Sequence, residues 1–401
     1  MDCKLADSNF RFETQHPMTT PFVALRQYGS VFHTAARGRN PTPTKPFYRR
    51  KPREQSKTDE HPLLPLRPPV KSPGFEIIAN MHVPDQSWHT GAASPSPRIS
   101  SPSSLARIIF CLVAIASTPA WSADMPLFTA TPLTTVGSFT QGVEGPACDV
   151  SGNVYAVNFG AQQTIGKVTP DGKAELFVTL PGKSVGNGIR FNRSGMMFVA
   201  DYVEHNVLRI DPKTKAITVH AHESRMNQPN DLAIAPDGTL YASDPDWKNK
   251  RGQLWRIDTK GKVTRVAEDM GTTNGIEVSP DGKKLYVNES VQRNVWSFDI
   301  AADGSLSNKR LIKQFPDFGF DGHRCDVDGN LYITRHGKGT VVKMTPQGEV
   351  LKEIDVLGTS PTNICFGGPD GRTAYVTEAE QRRLVQFRVD RPGLEWQRAQ
   401  K

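Results

Sequence analysis

The chain has 401 residues and a formal net charge of +8, a length that allows several domains or one large all-β domain. Residues 1–104 carry 14 Lys and Arg against 8 Asp and Glu, and the rest of the chain is nearly neutral. This distribution excludes a basic nucleic-acid-binding globule. No run of 18 apolar residues exists, so we expect no stable membrane insertion. Five cysteines are too few for a disulfide-stapled mini-protein.

The first segment, residues 1–104, shows no sustained helical or strand period. It is rich in Pro, Ser, Arg and Lys and holds 15 of the 31 prolines. Such a composition buries too little apolar surface to offset the entropy of ordering, so we predict a disordered basic segment. The alternative is a basic arm that binds an acidic partner.

Residues 105–123 have the order of a secretory signal. Arg107 precedes a nine-residue apolar run, and Pro119 and small residues up to Ala123 follow it. The run is too short for a membrane span, and the alternative is a short buried strand. A signal at this position predicts that translation starts near residues 100–105. The remaining segment, 124–401, is then expected to be periplasmic or secreted.

From Leu127 onward the sequence repeats at steps of 42 to 47 residues. Every repeat has an Asp-Gly or Ser-Gly dipeptide seven residues after its first residue, and short alternating apolar runs flank that dipeptide. These dipeptides are typical of tight β-hairpin turns. The six repeats begin at Glu144, Asn187, Asn230, Asn274, Asp321 and Asn363.

Each repeat continues with a second alternating pair of runs, as in "GQLWRIDTKGKVTRVAED". Four short strands in about 43 residues, six times over, are typical of a propeller. We therefore predict an all-β fold, a six-bladed β-propeller of four-stranded blades over residues 124–401.

The first residues of the six repeats are expected to form a ring around the central channel, since the innermost strand of each blade lines it. All six carry a side-chain oxygen, and two are acidic. Clustered carboxylate and carboxamide oxygens favour a hard divalent cation, in the first place calcium. Magnesium, manganese or zinc are the alternatives, although a ring without thiol or imidazole disfavours zinc. Otherwise, Asn and Asp merely begin the strands and favour turns.

A second set of polar residues is expected beside this ring, because the second strand of a hairpin returns to the start of the first. Each lies three residues after the aromatic residue of its strand. They would orient ligand groups or contact substrate; the alternative is that strand ends are simply solvated. The set is Asn158, Asp201, Asp244, Glu289, Arg335 and Glu378.

Over about residues 127–390 the sequence resembles the SMP-30/gluconolactonase/LRE-like family of regucalcin-like six-bladed propellers. The resemblance lies in the sequence of the repeats, in the opening "VEGP" and in the order Glu, Asn, Asn, Asp of the residues that begin the repeats. The resemblance implies a metal-dependent hydrolase, in the first place a lactonase, that acts on a small-molecule lactone or ester. It also implies Asp321 as the catalytic base. The implied metal ligands are Glu144, Asn230, Asn274 and Asp321.

The base could instead be Asp231, Asp244 or His323, because a metal lowers the basicity of a carboxylate that binds it. Expected substrate contacts are Asn187, Asp201, Asp231, Asp244, His323 and Asn363. The alternative functions are a non-enzymatic binding propeller with a structural ion and a different metal-dependent esterase, phosphotriesterase or condensation activity. The sequence leaves the oligomeric state open. Cys148, Cys325 and Cys365 fall in innermost strands and are expected to be buried free thiols.

Overall fold

The computed structural model describes residues 125–400. The predicted disordered segment and the signal-like segment lie outside the described residues. Within residues 125–400, no helix is both long and apolar enough to cross a lipid bilayer.

Strand β1 (Thr131–Pro132) comes first in the chain, and 23 further strands and one short helix follow it in the described part. The strands form six antiparallel sheets of four strands, here called blades 1 to 6. The first strands of neighbouring blades contact one another, so they surround the channel. The predicted six-bladed, four-stranded propeller is therefore confirmed.

The strands of the first three blades run outward from the channel in chain order. Blade 1 contains β2 (Phe139–Cys148), β3 (Val154–Phe159), β4 (Thr164–Val168) and β5 (Ala174–Thr179). Blade 2 contains β6 (Gly186–Phe191), β7 (Met197–Asp201), β8 (Asn206–Ile210) and β9 (Ile217–His222). Blade 3 contains β10 (Leu232–Ile234), β11 (Leu240–Asp246), β12 (Arg251–Ile257) and β13 (Val263–Met270).

The next two blades repeat this order, and the last one does so for three strands. Blade 4 contains β14 (Thr273–Val278), β15 (Lys284–Glu289), β16 (Asn294–Ile300) and β17 (Leu306–Gln314). Blade 5 contains β18 (His323–Cys325), β19 (Leu331–Arg335), β20 (Thr340–Met344) and β21 (Val350–Asp355). Blade 6 contains β22 (Pro361–Gly367), β23 (Thr373–Glu378) and β24 (Arg383–Arg388).

The outermost strand of blade 6 is β1, from the opposite end of the propeller sequence. Thr131 pairs with Gln386 and Pro132 with Val385. Leu133 N donates to Leu384 O at 2.9 Å, which continues the pairing beyond the strand. This pairing closes the circle of blades and covers the edge that β24 would otherwise expose.

The predicted hairpin turns are confirmed at all six positions. The glycine of each dipeptide has a positive φ, as at Gly238 with φ 90° and Gly371 with φ 68°. In blade 3 the turn sets the register Leu232 to Ala242 and Ile234 to Leu240. These turns return the second strand to the channel beside the start of the first.

Apolar side chains fill the space between neighbouring blades. Tyr155 and Val157 of blade 1 pack with Ile189 and Val199 of blade 2, and all four are buried. Burial of one such aliphatic side chain contributes about 1.5–3 kcal/mol. The three cysteines of the described residues are free thiols, as predicted. Cys325 and Cys365 are buried as expected, whereas Cys148 is only half-buried.

Helix α1 (Leu394–Ala399) follows blade 6. It lies at the channel end opposite the ring: Arg398 donates from Nη1 to Ile234 O at 2.8 Å and from Nη2 to Ser279 O at 3.0 Å. Leu394 is buried. Beside the helix lies a cavity of about 360 Å³ whose lining includes Arg190 and Glu277.

Candidate functional site

The six ring residues are brought together by close approach of the innermost strands. Four of them are followed by glycine, and at Gly188 a Cβ would lie only 2.7 Å from the Cα of Asp231 in the next blade. At Gly322 a Cβ would lie 1.9 Å from the side chain of Asn363. Gly188 N also donates to Asn230 O at 2.8 Å. Gly275 N and Gly322 N bond in the same way to Asp321 O and Thr362 O, so the glycines let the inner strands hydrogen-bond directly at three junctions between blades.

Four ring side chains carry a buried oxygen that has no hydrogen-bond partner within residues 125–400. They are Glu144 Oε1, Asn187 Oδ1, Asn230 Oδ1 and Asn274 Oδ1. An unsatisfied buried acceptor costs about 1–3 kcal/mol, so four at equivalent positions of one ring call for a positive group among them. The donor set is entirely oxygen, and this chemistry fits a hard cation.

The two ring carboxyl groups, Glu144 and Asp321, lie within hydrogen-bond reach of each other, and Asn274 lies beside Asp321. Burial raises the pKa of Glu144. Burial, together with the charge of Glu144, raises the pKa of Asp321 well above its ordinary value. Two adjacent buried carboxylates repel each other, and a divalent cation between them would remove this repulsion.

Asp321 is the ring carboxylate that stays half-buried, whereas Glu144 is buried. Its backbone is fixed, because Asp321 O accepts from Gly275 N at 3.0 Å and from Asn288 Nδ2 at 2.8 Å. Because the backbone of Asp321 is fixed and the residue is partly exposed, its carboxylate can contact a ligand bound in the channel.

Asn274 and Asn363 differ in the engagement of the side-chain oxygen. Asn274 Nδ2 donates to Ser290 Oγ at 3.0 Å, and its Oδ1 has no partner among the described residues. Asn363 Oδ1 accepts from Ile364 N at 2.8 Å, and its Nδ2 lies 3.4 Å from Asp231 Oδ2. Asn363 is therefore a donor to carboxylates, and we leave it out of the substrate contacts.

Asp231 lies just below the ring and is fully buried. Arg324 Nη1 donates to its Oδ2 at 2.8 Å, and Arg190 Nη1 lies 3.5 Å from Oδ1. Burial raises the pKa of Asp231 to about 7, against the opposing charge of Arg190. Since Asp231 is fully buried and both of its oxygens contact guanidinium groups, we do not propose it as the base.

His323 is also fully buried, and its Nδ1 lies 3.2 Å from Asn288 Nδ2. Its ring packs against Gly275 between blades 4 and 5, where a Cβ on that glycine would lie 2.6 Å from Nδ1. Burial lowers the pKa of His323 to about 3. A neutral, enclosed imidazole of such low basicity is a poor general base.

The second polar set holds the loops that lead into the innermost strands. Asp244 accepts from Gln228 N at 2.6 Å and Trp255 Nε1 at 2.8 Å. Asp201 accepts from Val185 N at 3.1 Å and Glu204 N at 3.2 Å. Both aspartates are fully buried. Their oxygens are used for loop anchoring, so we leave Asp201 and Asp244 out of the substrate contacts.

Within the described residues, no group of three or more His, Cys, Asp and Glu side chains is arranged to hold a metal ion. The ring differs from such a group because half of its predicted ligands, Asn230 and Asn274, are carboxamides. This composition makes the ring a weakly charged oxygen site, in which two carboxylates would balance a divalent ion.

The sequence reasoning missed Arg190 and Arg324, which pair with Asp231. Both arginines lie three residues after a ring residue, and so does Glu277. A comparison of the repeats at this third position would therefore have revealed them. Ser290, which orients Asn274, carries no comparable signal.

Comparison with known proteins gives the same architecture. The chain is 26% identical over 290 residues to a gluconolactonase of Zymomonas mobilis, covering 63% of this chain and 81% of that protein. It is 27% identical over 303 residues to a diisopropyl-fluorophosphatase of Loligo vulgaris, covering 67% and 94%. The crystal structure of a calcium-binding protein, regucalcin, from Agrobacterium tumefaciens matches with a TM-score of 0.56 and 22% identity, covering 67% of this chain and 94% of that one.

A gluconolactonase structure from Xanthomonas campestris matches with a TM-score of 0.56 and 21% identity, covering 65% of this chain and 89% of that one. At these identities the structural matches establish the fold alone. The lactonases among the relatives support a lactonase-type hydrolase at the level of the family. The family described as the SMP-30/gluconolactonase/LRE-like region matches residues 143–380, more than half of the chain, and the protein belongs to that family.

Proposed function

We propose that this protein is a metal-dependent lactonase that opens a sugar lactone or a related lactone in the propeller channel. The observation that carries the proposal is the set of unpartnered ring oxygens beside the Glu144 and Asp321 carboxyl pair. Relatives named gluconolactonase, 6-deoxy-6-sulfogluconolactonase and pentonolactonase support the lactone as substrate class.

Glu144, Asn230, Asn274 and Asp321 would hold the cation, for which calcium is our first choice. When bound, a divalent cation supplies Lewis acidity that polarises a substrate carbonyl oxygen. The two carboxylates balance the charge of such an ion, and the two carboxamides add neutral oxygens. Four protein ligands leave room in a calcium shell for water and substrate.

Asp321 is the proposed base. The residue is half-buried, and its carboxylate would take the proton of the water that attacks the lactone carbonyl carbon. The acyl C–O bond then breaks, the ring oxygen leaves as a hydroxyl after taking a proton, and the product is a hydroxy acid.

Asn187 is the proposed substrate contact. It is half-buried, and its Oδ1 has no partner. An amide oxygen in this place can accept a hydrogen bond from a substrate hydroxyl, which suits a polyhydroxylated lactone. Asn187 lies on blade 2, between the proposed ligands of blades 1 and 3 in chain order.

The test is acid release measured by pH-stat on a panel of aldonolactones and aliphatic lactones. The purified protein is assayed as prepared, after EDTA, and after calcium, magnesium or manganese is added back. Turnover that EDTA abolishes and one metal restores supports the proposal. Absence of turnover on all lactones by protein with bound metal would favour a binding propeller with a structural ion.

A second candidate is hydrolysis of a phosphorus ester or fluoride. The similarity to diisopropyl-fluorophosphatase over 94% of that protein favours it. The same panel should therefore contain an organophosphorus fluoridate. Turnover of this compound at a rate above that of every lactone would replace the lactonase proposal.

We also propose that residues 124–401 are exported. Amino-terminal sequencing of the native protein should then begin near residues 120–124. Peptides from residues 1–100 in the native protein would contradict both this cleavage and a translation start near residues 100–105.

A further inference from the structure

Beneath the ring, charged side chains of alternating sign fill the channel. Asp231 lies just below the ring, and the guanidinium groups of Arg190 and Arg324 follow it. Two carboxylates and one further guanidinium come next. They belong to Glu277 of blade 4 and to Glu395 and Arg398 of helix α1. The six side chains carry three negative and three positive charges, so the column is balanced.

Asp231 is the uppermost of these six side chains and connects blade 3 with blades 2, 5 and 6. From blade 3 it accepts from Arg324 Nη1 at 2.8 Å and Nη2 at 3.3 Å across the channel. Arg190 of blade 2 lies 3.5 Å away, and Asn363 of blade 6 lies 3.4 Å away. A bidentate Arg–carboxylate contact fixes both distance and orientation.

Hydrogen bonds of Asp231 also hold the neighbouring Asn230 in place. Asp231 Oδ1 accepts from Leu232 N at 2.9 Å, and Asp231 N donates to Ser243 Oγ at 3.0 Å. Strand β10 covers only three residues, and backbone bonds extend its pairing with β11: Asn230 N donates to Ser243 O at 2.9 Å, and Ser243 N donates to Asp231 O at 3.0 Å. The position of Asn230 therefore depends on these backbone bonds together with the side-chain bonds of Asp231 and Ser243.

Helix α1 is the lower end of the column and touches four blades. Glu395 Oε2 lies 3.6 Å from Arg324 Nε, and Glu395 Oε1 accepts from Phe366 N at 2.6 Å. Arg398 donates to backbone oxygens of Ile234 in blade 3 and Ser279 in blade 4. Loss of the Glu395 charge would leave three guanidinium groups against two carboxylates, an excess of one positive charge beneath a site for a cation.

We propose that helix α1 is a positioning element for the ring, acting through Glu395, Arg324 and Asp231 on Asn230. Glu395 balances the two buried guanidinium groups and aligns Arg324 with Asp231. Arg324 in turn fixes the strand start that carries Asn230. The inference rests on the proposed cation site only for the second of its two measurements.

The first measurement needs no metal. Glu395→Gln keeps the oxygen that accepts from Phe366 N and removes the charge. Amide hydrogen exchange of the full chain in EDTA should be at least about threefold faster in the peptide covering residues 226–234 of this variant. Glu268→Gln is the matched control, because it removes one charge from an exposed outer-strand pair with Arg265.

Faster exchange confined to helix α1 and its direct contact, residues 361–371, would show a local structural role and overturn the proposal. A variant that ends at Pro392 removes the whole helix. It must show the same increase over residues 226–234 while the outer strands β13 and β17 keep their protection; unchanged exchange over residues 226–234 in this variant would also overturn the proposal.

The second measurement is calorimetric titration with calcium. Glu395→Gln should weaken binding about tenfold, the lower end of effects seen for groups that support metal ligands, and Glu268→Gln should leave it unchanged. An affinity of Glu395→Gln within about twofold of the parent would overturn the proposal. If the parent itself binds no calcium, the proposed function fails, and the exchange result alone decides the role of α1.

Discussion

The ring carboxamides differ in whether the side-chain oxygen is engaged, and this difference separates a proposed ligand from a support. Among the described residues, Asn274 Oδ1 has no partner, and Asn274 Nδ2 donates to Ser290 Oγ. Asn363 has an engaged oxygen and a nitrogen that faces Asp231. A cation requires a free oxygen, so equivalent repeat positions that share one residue type can have opposite roles.

The first prediction follows from this difference. Asn274→Ala removes a proposed ligand oxygen and should weaken calcium binding by about tenfold or more. Asn363→Ala removes only a donor to carboxylates and should have a clearly smaller effect. Calorimetric titration of both variants provides the comparison. Equal affinities of the two would show that Asn274 is not among the ligands.

Asp321→Asn is the second prediction. The substitution keeps the shape of the side chain and an oxygen for the cation, but it cannot accept the water proton. We expect turnover of the best lactone to fall about a hundredfold or more. Calcium affinity, measured in parallel, should fall as well because one negative charge is lost. Full turnover in this variant would remove Asp321 from the mechanism.

The glycines after the ring residues give a third prediction, on stability. Gly188→Ala places a Cβ 2.7 Å from Asp231 Cα and 2.9 Å from Asn230 O. Since both obstacles are backbone atoms, we expect a loss of about 1–3 kcal/mol in the free energy of unfolding. Gly319→Ala is the control, because its nearest neighbour is Ser290 O at an ordinary 3.4 Å. Urea unfolding curves that coincide for the two variants would contradict the close packing of the inner strands.

At the scale of elements, β1 carries the closure of the propeller. Thr134 is buried, and its Oγ1 accepts from Leu384 N at 3.0 Å. Thr134 N donates to Leu384 O at 3.2 Å. Thr134 thus bonds both the backbone N–H and the backbone C=O of Leu384, about 250 positions away in the chain. This contact helps to hold the first part of the propeller sequence against the last.

Thr134→Val is the fourth prediction. Valine has nearly the same shape but leaves the buried Leu384 N–H without its side-chain acceptor. We expect the free energy of unfolding to fall by about 1–3 kcal/mol. Thr135→Val, one residue further on and exposed, should change it by less than about 0.5 kcal/mol. Thermal unfolding of the two variants measures the difference, and equal midpoints would remove the closure role from Thr134.

The hairpins of all six blades could be predicted from sequence because the signal is local and repeated. An Asp-Gly or Ser-Gly turn with flanking alternation lies within about fifteen residues, and six copies at one spacing reinforce each other. The pairing of β1 with β24 could not be predicted in this way. Two residues, Thr131 and Pro132, carry no period, and their partners lie at the other end of the domain.

The candidate site was predictable to the same extent. The ring positions follow from the repeat. Which polar atoms of each carboxamide are engaged depends on single contacts, such as that of Asn274 with Ser290. The contrary example is Asp244, a carboxylate placed beside the ring by the repeat but used to anchor Gln228 and Trp255. Residue type alone does not distinguish these uses, because hydrogen-bond partners decide them.

At the scale of the whole molecule, the channel combines two kinds of electrostatics. Below the ring, the carboxylates of Asp231, Glu277 and Glu395 balance the guanidinium groups of Arg190, Arg324 and Arg398. At the ring, Glu144 and Asp321 lie together, and among the described residues neither carboxylate forms a salt bridge, although the charge of Arg190 below the ring acts on Glu144. Buried like charges are unstable unless a counter-charge is present. The charged side chains below the ring supply their own counter-charges. A bound cation would therefore contribute to the stability of the propeller at the ring.

The last prediction concerns removal of the metal. The proposed ligands come from blades 1, 3, 4 and 5, so a bound cation would join four of the six blades. Calcium at 100 times its Kd should add about 2.7 kcal/mol to the free energy of unfolding, which raises the Tm by roughly 5–10 °C relative to protein in EDTA. The comparison is made by calorimetry, with the Asp321→Asn variant as control. That variant should lose most of the calcium-dependent shift, because its ring has one carboxylate fewer. A parent Tm that is the same in EDTA and in calcium would show that the ring holds no calcium, whereas equal shifts in parent and variant would locate the ion elsewhere.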